Sequence, residues 1–220
     1  MCNWRYDVMQ FKTFYFNPLR ECCYVLWDQT GECVIIDPGC FGRREFARLE
    51  KFVEENSLTP VKVLLTHGHF DHVMGLADLT AKWNIPVLLH RADFVHLELA
   101  QRQCAMYGMD IENPVVETVD IADGEQIVFG ETMLDVIATP GHTQGGVCYH
   151  CPSDGLLFCG DTLFEGSIGR TDLPGGNYDQ RMASSRTRLM ILPRDTKIFP
   201  GHGFPTTIAE EAASNPYINS

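Results

Sequence analysis

Residues 66–72, THGHFDH, put three histidines and an aspartate within six positions. They follow at once on the apolar run VKVLL (61–65), which has the composition of a buried strand. A buried strand usually ends in a turn of Gly, Pro, Asn or Ser. Imidazole and carboxylate crowded out of water raise the free energy unless something pairs with them. A divalent metal does so, because neutral imidazole and ionised carboxylate are its ligands. Positions 67, 69 and 71 alternate, so an extended segment points His67, His69 and Asp71 the same way. His72 then opens a helix and points elsewhere, a split that two neighbouring metals need.

Three further apolar runs end in a potential ligand: LDVIATPGH in His142, LLFCGD in Asp161 and KIFPGH in His202. Layered α/β proteins gather functional groups at strand ends, where loops are free to shape a site. Each of these alone reads as a turn or cap residue; together with THGHFDH they complete a candidate metal centre. The other histidines read as structural: His90 ends a strand without a companion motif, His96 falls in a helix and His150 in a strand. Cys148 and Cys151 form a C-x-x-C without a second pair and read as strand residues rather than a zinc site.

Periodicity and turn signals supply the elements that carry these groups. Residues 11–16 alternate as a strand, and 22–28 and 33–37 form a hairpin across QTGE. Residues 42–56 have helical spacing; 72–83 read as a helix with Asp71 as N-cap, 86–90 as a strand and 92–107 as a helix. The second half begins with strands near 114–119, 126–129 and 132–138. Residues 146–151 and 156–160 flank PSDG as a second hairpin. A helix over 178–192, a strand at 196–199 and a closing helix at 206–213 follow. Two halves of strands followed by helices predict two mixed sheets packed face to face with helices outside. No linker divides residues 1–220, so a single domain is expected.

A net charge of −12 opposes binding to nucleic acid or to an anionic membrane surface. No apolar run reaches the ~20 residues of a membrane span. The N-terminus has no apolar leader region, and nine cysteines without a framework favour reduced thiols, so a cytoplasmic location is expected. The oligomeric state is not encoded in any visible pattern.

H-x-H-x-D-H followed by single His, Asp and His residues, each after a strand, resembles the metallo-β-lactamase superfamily over nearly the whole chain. The resemblance implies a four-layer αββα sandwich with metals at the sheet edge. It implies that His67, His69 and His142 hold one ion, that Asp71, His72 and His202 hold a second, and that Asp161 bridges both. Zinc is the first expectation, with iron or manganese as alternatives. The most familiar β-lactamases carry cysteine where Asp161 stands, which disfavours antibiotic hydrolysis. Residues 160–176, GDTLFEGSIGRTDLPGG, are similar to the glyoxalase II (hydroxyacylglutathione hydrolase) group. The short bacterial relatives of that group also end in a Glu-rich helix and an Asn-Pro pair, here Glu210, Glu211, Asn215 and Pro216.

The activity so implied is hydrolysis of a thioester such as S-lactoylglutathione by a metal-bridging hydroxide, with Asp71 orienting it. Arg170 aligns with a basic residue that contacts glutathione in that group. Only a short stretch follows His202, so the C-terminal helical domain of glyoxalase II is expected to be missing and glutathione not to be held specifically. GRTD (169–172) also occurs in the persulfide dioxygenases, which use one iron; that activity and a non-catalytic metal-binding role are the alternatives.

Overall fold

The computed structural model describes residues 9–219; the N-terminal stretch read as leaderless lies outside them. Strands β1 (Gln10–Phe16), β2 (Glu21–Trp27) and β3 (Glu32–Ile36) form an antiparallel meander. Strands β4 (Thr59–Leu64), β5 (Val87–Leu89) and β6 (Thr118–Asp120) extend it in parallel, in the order 1-2-3-4-5-6. The second half builds an antiparallel run of β7 (Gln126–Phe129), β8 (Thr132–Ala138), β9 (Val147–Cys151) and β10 (Leu156–Gly160). A small hairpin of β11 (Leu163–Phe164) and β12 (Ser167–Ile168) follows. Then β13 (Lys197–Pro200) joins β10 in parallel, and β14 (Thr206–Thr207) closes a second six-stranded sheet.

Side-chain alternation shows how the layers stack. In β2, Cys22, Tyr24 and Leu26 face the space between the sheets, while Cys23 and Val25 face the opposite way. There they meet α1 (Gly42–Glu55), α2 (Phe70–Val73), α3 (Leu76–Trp83) and α4 (Phe94–Met106). In β10, Leu156 and Phe158 point inward. Leu157 and Cys159 point outward to the π-helical turn (Ser185–Leu189) that continues α5 (Tyr178–Ser184), and to α6 (Ile208–Ser214). Both faces of each sheet are covered, which is why the central strands read as unbroken apolar runs rather than alternating ones. The result is the expected αββα sandwich.

The expected helix over 72–83 differs in its start and in its continuity. It begins at Phe70, so Asp71 lies inside its first turn and His69 is the N-cap. It then breaks at Gly75, whose N–H donates to the Pro38 carbonyl at 2.8 Å. A Cβ at Gly75 would run into Cys40 Sγ, so the strap at 38–40 and this break require each other. The expected helix over 178–192 ends sooner, in the π-helical turn, and the strand expected near 114 begins only at Thr118. Cys148 and Cys151 lie on β9, and all eight described cysteines are buried free thiols. Among the described residues, no helix is long and apolar enough to cross a membrane.

Candidate metal centre

The loops after β4, β8, β10 and β13 meet at one edge of the sandwich and bring together all seven predicted ligands. His67, His69 and His142 offer nitrogens within 4.8 Å of one another, and Asp71, His72 and His202 form a second such set. Asp161 is turned to both sets. Its Oδ1 is 3.5 Å from His72 Nε2, and its Oδ2 is 3.6 Å from His142 Nε2 and 3.9 Å from His202 Nε2. The alternation argument holds for His67 and His69 but not for Asp71, which the early helix start carries into the other set.

Hydrogen bonds around the site fix which nitrogen of each ring is free. His67 Nδ1 meets Thr66 Oγ1 at 3.1 Å, and that hydroxyl donates to Asp37 Oδ2 at 2.6 Å. His72 Nδ1 donates to Asp37 Oδ2 at 3.0 Å, and His142 Nδ1 to the Arg170 carbonyl at 2.8 Å. His202 Nδ1 donates to the Leu19 carbonyl at 3.2 Å. In these four rings Nε2 is left for the centre. His69 is reversed, with Nδ1 2.9 Å from His142 Nε2. Nε2 of His67, Nε2 of His72 and Oδ1 of Asp161 are buried with no hydrogen-bond partner. Such orphans cost about 1–3 kcal/mol each. They are borderline nitrogen and carboxylate donors aimed at common points, so the residues fit divalent ions.

The electrostatics divide along the same line. Burial, reinforced by the neighbouring imidazoles, pushes His67 well below its ordinary range and His69 down to about 2. Burial also lowers His142. These are neutral rings with lone pairs to give. Burial opposes charge on His72 as well, but Asp71, Asp161 and Asp37 outweigh it and raise His72 to about 10. The second set therefore demands positive charge, which a divalent ion supplies.

Three residues that the sequence reading did not single out hold the centre in shape. Asp37, at the end of β3, accepts from Thr66 N at 2.7 Å as well as from Thr66 Oγ1 and His72. It lies close to His67 and His72 but is committed to backing them. Asp93, fully buried, accepts from Gly68 N at 3.0 Å, Thr143 Oγ1 at 2.7 Å and Gly145 N at 2.7 Å. It thereby clamps the loop of His67 and His69 to the loop of His142. Arg181 is buried and reaches the carbonyls of Thr162 and Thr139 at 3.2 and 3.4 Å, tying the loop of Asp161 to that of His142. Asp37 had a sequence signal, a fifth apolar run ending in an acid; Asp93 and Arg181 had none.

A cleft of about 480 Å³ opens onto the centre, with His69, Asp71, His142, Asp161 and His202 on its floor. Arg170 lines it, but its guanidinium is forked onto Asp172 at 2.8 and 2.7 Å. His90 accepts from Ala92 N to cap a short turn, and His150 is buried on β9. His96, read as structural, packs edge-on against His69 with ring centroids 5.0 Å apart. A larger groove of about 780 Å³, between α3 and residues 112–119, holds no histidine or cysteine.

An αββα sandwich with histidine and aspartate ligands on four strand-end loops defines a metal-dependent hydrolase. The chain belongs to the metallo-β-lactamase superfamily, whose profile matches residues 18–202. It is 34% identical to the Bacillus subtilis protein named "Probable metallo-hydrolase YqgX", over 96% of this chain and 98% of that one. It is 34% identical to the hydroxyacylglutathione hydrolase GloC of Haemophilus influenzae, over 91% and 94%. Among solved structures, the BLEG-1 B3 metallo-β-lactamase superimposes with a TM-score of 0.88 at 33% identity, covering 96% of this chain and 100% of its own. TTHA1623 in a di-iron-bound form gives 0.85 at 36% identity, over 94% and 99%.

Proposed function

We propose that this chain hydrolyses thioesters, S-lactoylglutathione among them, at a centre of two divalent ions. The observation that carries the reading is the meeting of the two ligand sets with Asp161 turned to both. His67, His69 and His142 would hold one ion and Asp71, His72 and His202 the other, with Asp161 turned to both. The relation to GloC supports the thioester as substrate. Zinc is proposed first; the di-iron form of TTHA1623 supports iron as the alternative, with manganese third. Bound there, the ions supply a water that ionises near neutral pH and an electrophile for the acyl carbonyl.

The chain's own residues do the rest. Burial would raise the Asp71 carboxyl, but His72 and His202 outweigh it and hold it below the usual carboxylate range. It stays ionised and, 3.1 Å from His202 Nε2, is placed to orient a water. Thiolate is a good leaving group, so no acid on the far side of the cleft is demanded. The buried thiols support a reducing compartment, and the cytoplasm is the proposed location.

Zinc-reconstituted protein in an anaerobic chamber should release thiol from S-lactoylglutathione. Turnover confined to iron-loaded protein, oxygen and glutathione persulfide would replace hydrolysis with dioxygenation. The likeness to BLEG-1 favours β-lactam hydrolysis as a second reading. A chromogenic cephalosporin tests it, and cleavage faster than that of the thioester reverses the order.

A further inference from the structure

The cleft has a floor of ligands and walls of another kind. Leu19, Phe70, Met106, Tyr107, Leu173 and Pro174 make up its sides. Phe70, itself buried, stacks beneath Tyr107 with ring centroids 5.1 Å apart and planes at 27°, and so backs the exposed tyrosine ring. Met106 beside them is 79% exposed, and Tyr107 is 57% exposed. Open apolar side chains gathered at a site mark a binding surface.

The charges of the cleft point the same way. Among the described residues, Arg170 is the only arginine or lysine that lines it, and Asp172 already neutralises it through two parallel hydrogen bonds. Glutathione carries two carboxylates, and away from the metal-binding floor the one side-chain cation that lines the cleft is already paired. The chain's charge of −12 adds a long-range repulsion for anionic thiols.

We infer that the cleft selects its substrate by an apolar acyl chain laid along Met106 and Tyr107, which Phe70 backs, rather than by the carboxylates of glutathione. The inference rests on the thioesterase reading and narrows it to thioesters of apolar acids. Each methylene buried in such a cleft is worth roughly a four-fold gain until the cleft is filled.

Two measurements test it. The first is calorimetric binding of S-alkyl thioethers of N-acetylcysteamine, ethyl to octyl, which cannot be hydrolysed. Affinity should climb roughly four-fold per methylene and then level off. Met106→Glu, at a position open enough to accept it, should flatten the series, and Tyr107→Ser should do the same more weakly. A flat wild-type series overturns the inference. The second is kcat/KM for the matching acyl thioesters and for S-lactoylglutathione on zinc-loaded protein. Values rising with chain length and exceeding that for S-lactoylglutathione support it; a preference for S-lactoylglutathione that Arg170→Gln abolishes overturns it. Failure to cleave any thioester removes the thioesterase reading, while the thioether series still decides what the cleft holds.

Discussion

Asp93 touches no reacting atom, yet its loss should be felt at the metals. Asp93→Ala strips the acceptor from Gly68 N, Thr143 Oγ1 and Gly145 N, three donors on two ligand loops. Outer partners of ligands are worth 10–100-fold in metal affinity by analogy with other sites, roughly. Competition with a chromophoric chelator should show weakening of about that size, and His90→Ala should show none. Asp161→Ala acts more directly, because it removes the carboxylate that faces both ligand sets. Elemental analysis of the reconstituted variant should give about one ion where wild type gives two, with hydrolysis lower by orders of magnitude. Two retained ions would overturn the bridging role. The seven residues that meet at the sheet edge were legible because they cluster behind four apolar runs. Asp93 was not, because in RADF it has no motif around it and its partners lie 25, 50 and 52 residues away.

The elements were legible where apolar periodicity was long and blurred where a tertiary contact decides. The hairpin of β2 and β3 and helix α1 follow their sequence signals to within a residue or two. The break between α2 and α3 does not, since it depends on Pro38 and Cys40 arriving from another loop. β11 and β12 are two residues each, too short for alternation to register. Gly75→Ala should show how much that break matters, because the new methyl has to displace Cys40 Sγ or the Pro38 carbonyl. Overpacking of this kind costs about 1–3 kcal/mol. Urea unfolding should show a lower midpoint with an unchanged slope. A midpoint equal to wild type would mean that the strap at 38–40 yields freely.

The two sheets are stitched together beside the metal centre. Cys22 N and Tyr24 Oη donate to the carbonyls of Gly201 and Pro200, next to His202. Val147 N and Tyr149 Oη donate to those of Thr66 and Leu65, next to His67. Ligands come from both sheets, so bound ions brace the whole sandwich. At a thousand-fold excess over Kd one bound ion adds about 4 kcal/mol, and in a chain of this size each kcal/mol moves Tm by roughly 2–4 °C. Scanning calorimetry of chelator-treated and zinc-loaded protein should differ by about ten degrees or more. Equal values would mean that the folded protein does not hold the ions more tightly than the unfolded chain does.

The spread of the ligands along the chain sets a timetable for synthesis. His67 through His72 leave the ribosome well before His142 and Asp161, and His202 comes last. At roughly 5–20 residues per second, the early signature waits on the order of ten seconds for its final partner. During that wait it has neither the third nitrogen of its own set nor the carboxylate that joins the sets. Holding the ions tightly is therefore a property of the finished polypeptide and not of its best-known motif. A nascent chain carries its signature exposed but incomplete, so tight holding of metal is expected only once the second sheet docks on the first.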